Sequence, residues 1–271
     1  MCWITYARSA RGGGNLKLAG QGFQGVEKVN KKCYISDMYH HYGSKKAFTL
    51  AEVLITLGII GVVAALTLPS LINKYKIKQL HTAFTRTSSI LQNVLNETAV
   101  EFGYTSFQDI NSLCSGLPNE ENGACKSKYS ELFESINDFY ASRFRVVHTL
   151  QNEDVRNYSF SNYSNKNKTS YINIYGAGDI FCLADGACVT KLVFFYHNPA
   201  DGISITFDTN GPLRGPNRYG YDIFLYNTGS WNKQCSKNQD GGVYNGRGCY
   251  DYALKDINPD DNSKGYWASL Y

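Results

Sequence analysis

Asp208, Asn210 and Asp222 fall within the single stretch "DTNGPLRGPNRYGYD". Their side-chain oxygens are the hard donors that Ca²⁺ takes. The full twelve-residue calcium-loop pattern is missing, however. Asp and Asn also close turns by bonding their own backbone, so turn chemistry is the simpler reading of the three and Ca²⁺ the alternative. Six of the eight cysteines, Cys114, Cys125, Cys182, Cys188, Cys235 and Cys249, follow the apolar stretch described below, and their even number suggests disulfides and an oxidising compartment. One further acid is conspicuous by its surroundings. Glu52 is the sole charged residue in the 21 residues from Phe48 to Leu68.

Catalytic patterns are sparse. His81, His148 and His197 stand alone, without a metalloprotease or Cys-x-x-Cys spacing. No nucleophile elbow, P-loop or dinucleotide fingerprint occurs. Asp185 and Asp208 could pair as acid and base, but both sit at turn positions. The composition therefore gives an enzyme reading little support. The 21 tyrosines suit core and surface filling, and leave room for a sugar- or adhesin-type contact face.

The elements that position these residues begin with the apolar run. At about 1.5 Å per residue its 21 residues make roughly 31 Å of helix, the thickness of a bilayer core. A secretory signal has a shorter, uncharged apolar region, so the run reads as a membrane anchor. Mean hydropathy over the whole chain is −0.34, which places the rest in a globular body. Residues 1–47 hold eight Lys/Arg against two Asp/Glu, a balance of +6. The remainder holds 19 basic against 21 acidic residues, a balance of −2. The net charge of +4 thus belongs to the N-terminal segment, and no nucleic-acid partner is expected. Basic residues ahead of the run favour a cytoplasmic leader and an outward head. Lys74, Lys76 and Lys78 beyond it pull the other way.

Residues 1–37 show no period. Translation starts either at Met1, giving a long leader, or at Met38, leaving residues 1–37 as a start-site artefact. Beyond Pro69, Leu80, Phe84, Thr87, Leu91, Val94, Thr98 and Phe102 recur at three and four residues, one face of a helix. Gly103 stands where a left-handed cap belongs. The spacing predicts one helix over 48–102, with Pro69 as a kink point. Leu132, Phe133, Ile136, Phe139 and Tyr140 predict a second over 128–144. Residues 151–169 read as a polar loop. "YINIY", "DIFCL", "VTKLVFFY", "GISITFD" and "YDIFLY" read as four or five antiparallel strands. The expected fold class is α+β, with no second domain. In "CLADGAC" a three-residue loop of Ala184, Asp185 and Gly186 sets Cys182 opposite Cys188, with Gly186 at positive φ. Of the 15 pairings open to six cysteines, nearest neighbours (Cys114–Cys125, Cys182–Cys188, Cys235–Cys249) are the simplest.

"KKAFTLAEVLITLGIIGVVAALTLPSLI" resembles the processing and methylation segment of type IV pilins and type II secretion pseudopilins. The resemblance covers roughly residues 45–75, through spacing, leader charge and apolar length together. It implies a prepilin peptidase that cuts between Ala47, where glycine is usual, and Phe48, whose new amine is then methylated. It places Glu52 fifth and Pro69 twenty-second in the mature chain. It implies a pilin-like fold: residues 48–72 as a membrane-spanning and filament-core helix, and residues 73–271 as an extracytoplasmic head entered by an amphipathic helix. The implied partners are the inner membrane, the peptidase and methyltransferase, and other pilin-like subunits. In that family the acid meets the amine of a neighbouring subunit. Gly58, Gly61, Ala64 and Ala65 would let helices approach closely. A minor pilin whose head binds DNA or carbohydrate is the alternative function.

Overall fold

The computed structural model describes residues 48–114, 124–170, 179–194, 202–229 and 234–271. The chain divides into two units, Met1–Val53 and Leu54–Tyr271, and of the first only residues 48–53 are described. Helix α1, Leu50–Glu101, has 52 residues, about 78 Å of rise. It runs through Pro69 as a single element. Proline's missing N–H costs one bond in a ladder that the neighbouring residues keep up. Its end is chemically defined: the Gly103 N–H donates to Val100 O (3.1 Å) and the Tyr104 N–H to Ala99 O (2.8 Å). Gly103 itself sits at φ 78°. This pair of bonds is a Schellman cap, and the left-handed residue it requires favours glycine.

Through Tyr75 the large apolar side chains of α1 are solvent-exposed. From Leu80 onward one stripe is buried: Leu80, Phe84, Thr87, Ser88, Leu91, Val94, Leu95, Thr98 and Ala99. Phe84 is the hub of that stripe, with ring centroids 4.5 Å from Phe224, 5.2 Å from Trp267 and 5.6 Å from Tyr250. Polar members of the stripe have partners. Ser88 Oγ and the Tyr250 hydroxyl share a 2.8 Å hydrogen bond, and Thr98 Oγ1 donates to Val94 O. Helix α2, Ala124–Ser142, buries Phe133, Ile136 and Tyr140 in the same core, starting four residues earlier than the spacing suggests.

The main sheet is antiparallel throughout. Its strands are β1 (Val146–Leu150), β4 (Ile180–Leu183), β5 (Cys188–Thr190), β6 (Val193–Phe194), β7 (Ile203–Asp208) and β8 (Ile223–Asn227). β8 pairs along one edge of β7, while β5 and β6 share the other, and β4 and β1 continue outward from β5. The expected strand "VTKLVFFY" is thus broken in two over its described part. Register slips by one residue between Val189↔Phe207 and Val193↔Ser204, which is a β-bulge. Asn137 on α2 fills the gap. It accepts the Leu192 N–H at Oδ1 (2.8 Å) and donates from Nδ2 to Leu192 O (3.3 Å), the two bonds a ladder partner would supply.

Residues 151–169 are more ordered than their polar composition suggests. They hold a short helix α3 (Asn152–Val155) and β2 (Ser159–Ser161), which pairs with β3 (Lys168–Ser170) in a two-stranded ribbon. Asn162 organises the turn between them, its Oδ1 accepting the Lys166 and Asn167 N–H groups. Helix α4, Cys249–Lys255, packs against β8 without a clear period in the sequence to announce it. "YINIY" lies outside the described residues.

Candidate functional site

The start of α1 is built by two side chains. Thr49 precedes the first helical residue and Glu52 is the third within the helix. Thr49 Oγ1 accepts the Glu52 N–H (3.2 Å), and Glu52 Oε2 accepts both the Thr49 N–H (2.8 Å) and the Thr49 hydroxyl (3.0 Å). This reciprocal capping box satisfies amides that the first helical turn leaves without partners. The sequence reading gives Glu52 a role in assembly and none in capping. The Thr-x-x-Glu spacing ahead of the apolar run was the available signal for its capping role. Phe48, just before the cap, is 85% exposed, and Ala47 lies outside the described residues. A Cβ added at Gly58 or Gly61 would meet nothing within 4 Å, so the helix presents bare backbone there.

The cysteines hold the head at two places. Cys182 and Cys188 are bonded to each other, opposite across β4 and β5, with Gly186 at φ 93° in the turn between. Asp185 in that turn pairs with Arg86 of α1 at 3.2 Å rather than with Asp208. Cys235 bonds Cys249, tying the segment after residue 234 to the first residue of α4. The side chains of Cys114 and Cys125 lie outside the described residues. His81 stacks on Trp267 (4.8 Å), and His148 sits in the edge strand β1.

The turn between β7 and β8 collects the remaining candidates. Asp208 and Asp222 are both fully buried. Asp208 Oδ1 accepts the N–H groups of Asn210 (3.1 Å) and Gly211 (2.9 Å). Asp222 takes the Asn217 N–H at Oδ2 (2.8 Å) and the Arg218 N–H at Oδ1 (2.7 Å). Thr209 N–H to Asp222 O (2.8 Å) closes the base of the loop. Both acids therefore perform turn chemistry, which is what Asp does in such loops. Burial, and then the charge of Asp208, push the Asp222 carboxyl well above the usual carboxylate range. Thr209 and Asn210 line a cleft of about 360 Å³ whose other walls are Lys76, Gln79, Leu80 and Ala83 of α1 together with Tyr271.

Residues 43–68 match the family model described as the prokaryotic N-terminal methylation motif, the signature of type IV pilins and pseudopilins. The matched segment overlaps the start of α1, an apolar helix that leads into an α+β head, and the motif supports a type IV pilin-like protein. No curated protein and no solved structure gives a significant match to the chain. Over the head, the chain's own residues are therefore the ground for a functional reading.

Proposed function

We propose that the chain is a structural subunit of a type II secretion pseudopilus or a type IV pilus, cut between Ala47 and Phe48. Residues 48–72 are held in the inner membrane and then move into a filament core, while residues 73–271 form a head outside it. The observation that carries this reading is a single carboxylate, Glu52, set four residues from Phe48 at the mouth of an otherwise uncharged apolar run.

An ionised carboxylate in hydrocarbon is costly unless a positive group faces it. In the single chain, Glu52 Oε2 is occupied by Thr49. Among the described residues Oε1 makes no hydrogen bond, which leaves it available to the α-ammonium of a neighbouring subunit. The pairing sets subunit stagger, because it is available only where one helix start reaches the carboxylate of the next. Glycines at 58 and 61 let helices approach within van der Waals range of backbone. The exposed apolar surface from Phe48 to Tyr75 needs such cover once it leaves lipid.

Thr49→Ala and Glu52→Ala separate this role from capping. Both break the capping box, but only the second removes the charge. Both variants should insert in the membrane. Glu52→Ala should reduce recovery in sheared filaments by about a hundredfold or more, on the scale expected when a charge in a low-dielectric site loses its partner. Thr49→Ala should reduce it only a few-fold, as for loss of a helix cap. Equal recovery of Glu52→Ala and wild type would refute the assembly role. An N-terminus other than methylated Phe48 on the mature protein would refute the processing.

A further inference from the structure

We propose that the underside of the head docks on an anionic phospholipid surface through Lys74, Lys76 and Lys78 of α1, with Leu213 and Tyr271 as apolar members of the contact, an inference that rests on the membrane residence of residues 48–72 proposed above. The three lysines follow the apolar run, on the side where basic residues oppose an outward head. The pairing of Glu52 gives them no task.

Their charge is concentrated and uncompensated. From Val53 to Asn96 the sequence contains no Asp or Glu. All three lysines are exposed, and among the described residues none of them makes an ion pair. At 3.6 residues per turn, Lys74 and Lys78 share one side of α1 and Lys76 points to the other, so the charges ring the helix. Residues 48–271 carry a balance of −2, which makes this collar a local exception within the chain beyond the leader.

Helix rise sets the depth of the collar. Lys76 stands four residues beyond Ile72, about 6 Å, and the headgroup layer adds about 5–7 Å to each side of the hydrocarbon core. Its ammonium group therefore lies at the level of the lipid phosphates. The head reaches the same level. Gly215 and Pro216 of the loop between β7 and β8 share a cleft with Lys76 and Tyr271, and Lys76 Nζ lies 6.0 Å from the centre of the Tyr271 ring. The backbone before Tyr271 is pinned, since Leu270 O accepts the Tyr221 hydroxyl (2.6 Å) and Lys237 Nζ (3.1 Å). Tyr271 is 52% exposed and Tyr75 68%. Leu213, in that same loop, is 74% exposed, more than any other large apolar side chain beyond Tyr75 among the described residues. Tyrosines beside lysines at the end of a membrane helix are what an interfacial belt is made of.

The partner must be negatively charged, extended, and present where α1 leaves hydrocarbon. Anionic headgroups meet all three conditions. Each lysine near such a surface strengthens the contact by about fivefold, so three supply about a hundredfold. The contact holds the head against the leaflet while the helix is stored, and it breaks when the subunit is drawn out.

The test places the full chain, one per disc, in nanodiscs of phosphatidylcholine alone or mixed equally with phosphatidylglycerol, and reads hydrogen exchange. In the mixed discs the amides of Leu213, Arg214 and Gly215 should exchange about fivefold or more slowly than in phosphatidylcholine, and high salt should remove the difference. Replacing the three lysines together (Lys74→Gln, Lys76→Gln, Lys78→Gln) should abolish the protection and leave the thermal midpoint in detergent unchanged. Leu213→Asp should weaken the protection with the lysines intact. Equal exchange in the two lipids, or protection kept by the triple variant, would overturn the proposal. So would protection that appears only in discs carrying two chains, which would put a second copy on this surface. A chain that fails to enter the discs refutes membrane residence, whereas one that enters and shows no lipid dependence refutes the docking alone.

Discussion

Asn137→Ala tests whether one helix side chain holds the main sheet together at its break. Leu192 is 4% exposed, and its N–H and C=O are both bonded by Asn137. Truncation removes both bonds and leaves a buried N–H with no acceptor. An orphaned buried donor costs about 1–3 kcal/mol, so a loss of about 2 kcal/mol is expected. In a unit of about 200 residues each kcal/mol moves the midpoint by about 2–4 °C, giving a drop of about 4–8 °C. Thermal unfolding followed by circular dichroism measures this, and hydrogen exchange at the Leu192 amide locates it. Asn137→Asp serves as control, because it keeps an acceptor for the Leu192 N–H while setting a second oxygen against Leu192 O. It should retain amide protection and still lose stability. If Asn137→Ala unfolds within about 0.5 kcal/mol of wild type, the range of an ordinary surface change, or if Leu192 stays protected in it, the bulge is held by something else.

Two further outcomes follow from the head. Removing the Cys235–Cys249 bond, which spans 14 residues, should cost about 3 kcal/mol by loop entropy. Removing Cys182–Cys188, which spans only 6 within a paired hairpin, should cost less; the unfolding midpoints of the two double-alanine variants decide. Burial raises the hydroxyl pKa of Tyr140, Tyr219 and Tyr266. These groups stay protonated in the folded state while the unfolded chain ionises near pH 10, so the unfolded state binds fewer protons above that pH and stability falls as pH rises through it. A fraction of the phenolate absorbance should therefore appear only together with loss of ellipticity, and ionisation of every tyrosine while the fold persists would contradict the burial argument.

Local chemistry was legible from sequence wherever one residue type answers one backbone demand. Gly103 closes α1 because its cap needs positive φ. "CLADGAC" turns as a three-residue hairpin because Gly186 supplies the left-handed residue and the cysteines then face each other. The buried stripe from Leu80 to Thr98 follows from helical spacing alone. The apolar run announces its helix through length and composition, since hydrocarbon admits little else.

Other features depend on partners distant in the chain, and those the sequence could not supply. Strand "VTKLVFFY" reads as continuous until Asn137, more than fifty residues earlier, takes over the bonds of Leu192. The polar run 151–169 becomes a ribbon because Asn162 bonds the turn between β2 and β3 and reaches Gly242 O, 80 residues on. The same holds for the loop between β7 and β8. Its Asp and Asn residues read as turn formers and perform that task, but a turn former's second lone pair has no sequence signature. Only tertiary packing, by burying Asp208 and Asp222 together and leaving Thr209 Oγ1, Asn210 Oδ1 and Asn217 Oδ1 without a donor among the described residues, decided that this loop holds more acceptor than its own backbone can satisfy.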